Sequence, residues 1–427
     1  MPRSTLTPVF KCINDAFPRK VCINLNKRQD RWRQMQFKLS QLGIKSVQRF
    51  PAIDGNDHDV PSGWTHTTGA LGCLLSHLEV VRDARRLGQP DVLIFEDDVV
   101  FDEHFNLKFG DRLKQLPADW DMLYFGALHK GEPVSVSKNI VRLTRSNSTY
   151  AYAIRDTVFD EFIELNAKAE TVLDNNSFVL QERFNCYCFM PHLAWVETDY
   201  SDAQQKLERH WYIKESLVLF GPRADRLLGD TTIVFAHDAR AQGRAIENLL
   251  YLVDYYHEFF SPHIAIVIVE QGPRRSVDPT ALPQSSEYML LQDKGPFNRE
   301  RCFQAGISES RAQRRLAVLS DSDIYLETLD FRANLMMCAQ YGAATGAGET
   351  IALNAEDSLR LRETGTTRGI DITKILSAAD KTQMPGCRFV NRGAVSAHPR
   401  QTGSLIASKG ADRVFQSPNY ALRLSHD

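Results

Sequence analysis

Val92-Leu93-Ile94-Phe95-Glu96-Asp97-Asp98-Val99-Val100-Phe101 is an apolar run that ends in three consecutive carboxylates and then turns apolar again. β-prone apolar residues followed by clustered acids predict a buried strand that delivers its carboxylates to the carboxyl edge of a sheet, where open α/β folds place their ligands. Carboxylates gathered there need a cation. Mg²⁺ or Mn²⁺ suits them, because hard divalent ions of this size prefer oxygen donors and keep positions open for substrate phosphates. A strand, an acid cluster and no P-loop point to a sugar-nucleotide transferase; the competing reading of the same stretch is an acidic surface turn.

The sequence on either side favours the site. Upstream, Val21 to Leu25 is an apolar strand and Asn26 to Asp30 a turn, followed by a helix whose Trp32, Met35, Leu39 and Leu42 recur every three or four residues until Gly43. Asp30 is placed to cap that helix. A strand–turn–helix opening puts Asn24, Arg28 and Arg31 at the same sheet edge as Glu96 to Asp98, where arginine suits a diphosphate. Arg49 to Gly55 reads as a second strand and turn, with Asp54 positioned for a ribose or base. Gly69 to His77 opens a helix whose glycines permit close backbone approach, and His77 on its own reads as a structural histidine. Downstream, Trp120 to Gly126 and Ala151 to Ile154 read as further strands, and the alternation predicts a mostly parallel sheet with helices on both faces.

The chain has 427 residues, room for two or three domains, with 43% hydrophobic and 24% charged residues, so neither disorder nor a fibrous architecture is expected. A formal charge of -2 gives no strong nucleic-acid signal. No apolar run reaches signal-peptide or membrane-spanning length, which leaves peripheral contact as the only membrane association and predicts a soluble cytoplasmic protein. The eight cysteines lack CxxC pairs and read as reduced core thiols. Cys186 and Cys188 would share one strand face, but with no third and fourth ligand evident zinc is disfavoured.

Ile23-Asn24-Leu25 with Arg28, Asp30 and Arg31, then Ala52 to Gly55, Gly69 to His77, Glu96-Asp97-Asp98, and finally Pro191-His192 with Asp199-Tyr200-Ser201-Asp202 stand in an order that resembles glycosyltransferase family 25. That family includes bacterial lipooligosaccharide and procollagen galactosyltransferases, and the resemblance spans roughly Lys20 to Asp202. It implies a GT-A fold and inverting transfer from a UDP-sugar, with a divalent ion at Glu96, Asp97 and Asp98. The donor would lie among Asn24, Arg28, Arg31, Asp54, Gly55, Ser76 and His77. It also offers Asp174, in Thr171-Val172-Leu173-Asp174, as the catalytic base.

Past Gly221-Pro222 the alternation restarts. Thr231 to Phe235 and Ile264 to Val269 read as strands, Ile246, Leu249, Leu250 and Val253 as a helical face, and Leu316 to Leu326 as a strand ending in Asp321-Ser322-Asp323. Alternation puts both aspartates on one side, where they can share a cation. Thr232 to Val234, Arg244, Asn248-Leu249, Val267 to Gln271, Phe297 to Arg299, Gly306 and Asp321 to Asp323 resemble the GT-A domains of family 2 and of bacterial polysaccharide polymerases. Such domains carry a later acid pair as base. None stands near Phe415 to Asn419, and Glu356-Asp357 is the nearest substitute.

The reading is thus an α/β chain of two tandem GT-A-like, Rossmann-like domains, residues 1–218 and 231–427, joined by a linker at 219–230. The expected activity is metal-dependent transfer of a hexose, galactose first, from a UDP-sugar to a glycan or lipid-linked glycan acceptor in surface polysaccharide or lipopolysaccharide synthesis. Both halves are candidates for catalysis. The alternatives are a carbohydrate- or partner-binding scaffold with degenerate sites, and transfer to a non-glycan acceptor such as protein hydroxylysine or modified DNA.

Overall fold

The computed structural model describes residues 12–208, 210–347, 349–365, 386–392, 414–415, 417 and 420–426. Residues 1–11 of the amino-terminal reading, and Gln416, Pro418 and Asn419, lie outside the described residues. The chain divides into two compact units, Met1–Gly221 and Pro222–Asp427.

In the first unit, Lys20–Asn24 runs parallel to Val47–Pro51 on one side and to Asp91–Glu96 on the other, with Ile23 opposite Phe50 and Glu96. Their carboxyl ends therefore open on one edge. Val92, Leu93, Ile94 and Phe95 are wholly buried, which explains an apolar run without polar alternation. The eight-stranded sheet continues through Ala151–Arg155, Met122–Tyr124, Cys186–Phe189, Ile140–Arg142 and Val134–Ser135. Ala151–Arg155 is antiparallel to both its neighbours, so the sheet is mixed at this point. A short apolar run reports that a strand is buried, not which way it points.

Helix Gln29–Gln41 buries Met35 and Leu39, and Gly43 ends it at φ +63. Asp30 does not cap this helix; it lies in the first turn and pairs with Arg28. Thr67 caps Thr68–Arg86 by accepting from the Ala70 N–H at 3.0 Å. The glycines of that segment are required by space. A Cβ on Gly72 would lie 2.5 Å from the Ile53 carbonyl oxygen, and one on Gly69 would lie 2.2 Å from that of Asp202. The helix start is thus pressed between two loops of the sheet edge.

In the second unit Glu287–Gln292, Ala265–Gly272, Thr231–Asp238 and Leu316–Asp321 are adjacent and parallel. Cys387–Asn391 then joins antiparallel to Leu316–Asp321. Helix Arg299–Ser308 packs on this sheet through Gly306, where a Cβ would meet Val234 Cγ1 at 2.3 Å. The segment expected as a linker is mostly the helix Pro222–Gly229, which buries Ala224 and Leu228 and belongs to this unit. Among the described residues, no helix is long and apolar enough to cross a membrane.

Candidate active site

The carboxyl edge of the first sheet lines a cavity of about 430 Å³. Of the expected residues, Arg31, Asp54, Gly55, Ser76, His77, Glu96, Asp97 and Asp98 line it, and Asn24, Arg28 and Asp174 do not.

Asn24 is buried behind the wall, donating through Nδ2 to Asp97 Oδ2 and accepting from Arg49 Nε at 2.8 Å through Oδ1. It orients an acid and does not face the cavity. Arg31, equally buried, reaches Asp97 Oδ1 and Asp98 Oδ2 at 3.3 Å each and Asp199 Oδ2 at 2.7 Å. Arg28 pairs with Asp30 and Asp202. Asp54 accepts from the Asn56 N–H and from Lys27 Nζ at 2.8 Å, and these contacts hold its carboxyl below the usual range. Ser76 accepts from the Ile53 N–H at 2.9 Å and donates to the Gly72 carbonyl at 2.6 Å, which holds the turn before Asp54 in place. His77 Nδ1 meets the Tyr152 hydroxyl at 3.0 Å, and its Nε2 lies 3.4 Å from Glu96 Oε1.

Lys27, Tyr200 to Ala203 and Gln205 also line the cavity without having been assigned to it. Asp202 entered only as part of the family resemblance. The tight approach at Gly69 is what brings its segment, more than a hundred residues downstream, to the rim.

The acid cluster carries unbalanced charge. Burial, reinforced by Glu96 and then Asp97 against the opposing pull of Arg31, pushes Asp98 up to about 7. Burial also raises Asp97, against the hydrogen bond from Asn24. Asp98 Oδ1 is buried without a hydrogen-bond partner. An orphaned carboxylate oxygen among hard oxygen donors fits a divalent cation, which would satisfy it directly.

Asp174 opens helix Leu173–Arg183 and accepts from the Ser148 N–H at 2.9 Å. Burial pushes its carboxyl up, and the charge of Glu96 adds to the shift.

In the second unit Asp321 is met by Arg299 Nη1 at 3.1 Å and Arg423 Nη2 at 3.4 Å. Asp323 is met by His426 Nε2 at 2.9 Å and Arg423 Nε at 3.3 Å. Burial raises Asp321, and Asp323 Oδ1 is buried without a hydrogen-bond partner. His237 Nδ1 lies 3.0 Å from Ser322 Oγ between them in sequence. Glu356 and Asp357 occupy the first turn of helix Ala355–Thr364, and Asp357 shares a cap with Asn354, accepting from its Nδ2 while its own N–H donates to Asn354 Oδ1. This gives Asp357 a capping role, away from the bonds that hold Asp321 and Asp323.

Residues 17–166 match the family model described as Glycosyltransferase family 25 (LPS biosynthesis protein). The match lies within the first unit and supports a glycosyltransferase there. A glycosyltransferase 25 family member of Drosophila melanogaster is 30% identical over 155 residues, covering 31% of this chain and 25% of that protein. Procollagen galactosyltransferase 2 of Homo sapiens is 28% identical over 150 residues, 30% of this chain and 24% of that protein. Inactive glycosyltransferase 25 family member 3 of Homo sapiens is 29% identical over 164 residues, 33% of this chain and 27% of that protein. The chain thus spans about a quarter of the length of these relatives. Among solved structures, glucosyl-3-phosphoglycerate synthase from Mycobacterium tuberculosis with Mn²⁺ and UDP aligns at TM-score 0.30 and 11% identity over 47% of this chain and 74% of that one, too slight a likeness to carry an argument.

Proposed function

We propose that the family 25 domain is a metal-dependent inverting glycosyltransferase that moves a sugar, galactose first, from a UDP-sugar to a hydroxyl of a glycan or lipid-linked glycan acceptor in surface-polysaccharide synthesis. The observation that carries this reading is the orphaned, proton-holding Asp98 beside Glu96 and Asp97 on the wall of a cavity, at the end of a buried strand. Glu96, Asp97 and Asp98 would hold Mn²⁺ or Mg²⁺, which supplies charge to offset the departing UDP. Asn24 fixes the orientation of Asp97. Arg31, now paired at 3.3 Å to both aspartates, would turn its guanidinium to the diphosphate once those carboxylates have another counter-ion. Asp54 with Lys27 faces the cavity at the place for the nucleoside.

Asp174 is read as the base that takes the proton from the acceptor hydroxyl as its oxygen attacks the anomeric carbon and the bond to UDP breaks. Its raised affinity for a proton suits that task. The location proposed for the protein is cytoplasmic. The second unit is read as a family 2-like domain that binds a nucleotide sugar.

Release of UDP from a panel of UDP-sugars with Mn²⁺ and with a chelator tests the proposal. Chelator-sensitive release is expected. Absence of release from every donor would favour the second reading, a binding scaffold with degenerate sites, which relatives named as inactive keep in view.

A further inference from the structure

Away from the cavity, His129, Cys188 and His192 are buried together, with His129 Nε2 3.3 Å from His192 Nε2 and one ligand atom of each residue within 4.8 Å of the others. We propose that these three side chains form a structural site for a thiophilic metal ion, with Zn²⁺ as its first occupant. Nitrogens each about 2.0–2.1 Å from a common tetrahedral ion stand about 3.3 Å apart, which is the separation of the two imidazoles.

The surroundings are those of metal ligands. His192 Nδ1 is 2.8 Å from the Ile213 carbonyl oxygen, which only accepts, so the proton sits on Nδ1 and the Nε2 lone pair points at His129. His129 Nδ1 is 2.9 Å from Ser146 Oγ, which can accept as well as donate. Each imidazole can therefore keep a proton on Nδ1, held by an oxygen, and offer Nε2, the second-layer arrangement that orients metal-bound histidine. Without metal the same atoms relay hydrogen bonds from Ser146 through His129 and His192 to Ile213, and this leaves the Cys188 thiol only a weak contact to the Phe189 carbonyl at 3.4 Å.

A metal here would staple three segments. Cys188 lies in strand Cys186–Phe189, His129 ends strand Leu128–His129, and His192 is tied to helix Trp211–Lys214 through Ile213. Two residues after His192, Ala194–Val196 pairs with Val99–Phe101, the strand directly after Asp98. The staple would brace the acid cluster from behind without touching substrate.

The test uses the full chain, stripped with a chelator and loaded with Co²⁺ as spectroscopic probe. A thiolate-to-cobalt charge-transfer band is expected, because the acid cluster supplies oxygen donors only. Among the described residues Cys73 lies beside His77 and Glu96 as a competing thiol, so the band should persist in Cys73→Ser and in Glu96→Ala/Asp98→Ala, and vanish in Cys188→Ser. His129→Gln should weaken Co²⁺ binding at this site at least about tenfold, the size of effect seen when a ligand set is disturbed. Zn²⁺ should displace the cobalt with about one equivalent and bleach the band. No band, a band that survives Cys188→Ser, or one lost in Cys73→Ser would overturn the proposal. Should Cys188→Ser fail to fold, His129→Gln with an unchanged band overturns it equally.

Discussion

The two units each end a buried strand in aspartates, and they balance those charges differently. In the first, Asp97, Asp98, Asp199 and Asp202 surround Arg28 and Arg31, Glu96 stands beside His77, Asp98 retains a proton up to about 7, and a cavity of about 430 Å³ opens beside them. In the second, Asp321 and Asp323 are met by Arg299, Arg423 and His426, although Asp323 Oδ1, like Asp98 Oδ1, has no hydrogen-bond partner. A carboxylate cluster short of counter-charge is built to receive a cation. One already served by its own chain must give up those partners to bind one, which lowers affinity by the strength of the pairs displaced.

The largest effect separates the units outright. Glu96→Ala with Asp98→Ala should remove UDP-sugar turnover by three orders of magnitude or roughly to background, while Asp321→Ala with Asp323→Ala should leave the first unit's turnover unchanged. Equal losses in both variants, measured as UDP released, would erase the contrast. Next, Asp174→Asn should slow transfer to acceptor by about two to four orders of magnitude and leave UDP affinity within a factor of about two, since a base acts on the acceptor and not on the donor. Calorimetry with UDP beside a transfer assay decides this; lost donor affinity with intact transfer at saturating donor would remove the role.

The second unit gives a smaller change. In the Glu96→Ala/Asp98→Ala chain, residual Mn²⁺-dependent nucleotide binding is expected and should disappear with Asp321→Ala/Asp323→Ala. Arg423→Ala in the same background should tighten Mn²⁺ binding about fivefold, the effect of freeing partly exposed ion pairs worth about 1 kcal/mol. Manganese paramagnetic resonance reads both. Unchanged affinity in Arg423→Ala would mean that the intrinsic cations do not set the difference between the sites.

A last effect is on stability rather than binding and concerns Asp91, at the start of the strand that leads to Glu96. Burial pushes it up to about 6. A carboxyl whose folded value exceeds its unfolded value binds more protons when folded, so this group's stabilisation is full below about 4 and is lost as pH rises to about 6. Asp91→Asn should therefore flatten the stability–pH slope in that window and gain on the order of 1–2 kcal/mol at pH 7, discounted for solvent screening. All five tryptophans lie in the first unit, so their fluorescence during urea unfolding follows that unit. An unchanged slope would show that a raised carboxyl here has no energetic cost, and would weaken the same inference at Asp98.

Periodicity and composition were enough to locate the strand at Val92 to Glu96, the helix bearing Met35 and Leu39, and the glycine-dependent approach at Gly69 and Gly72, because burial and backbone crowding act locally and leave their mark in residue type. Ordered motifs pointed to family 25 over roughly Lys20 to Asp202, and the family model matches residues 17–166. Other features came only from long-range contacts. Asn24 and Ser76 turned out to position neighbours, since a side chain's target depends on what the fold sets opposite it. The antiparallel direction of Ala151–Arg155 depends on how the chain returns to the sheet, which an apolar run does not encode. Cys188 looked like one of two cysteines on a strand without further ligands, yet His129, at the end of another strand, and His192 lie beside it. Sequence determines which residues prefer the interior and which backbone turns they allow. Only tertiary structure decides which buried polar atoms meet, because hydrogen bonds and metal ligation act over about 2–3.5 Å and join residues that the chain keeps far apart.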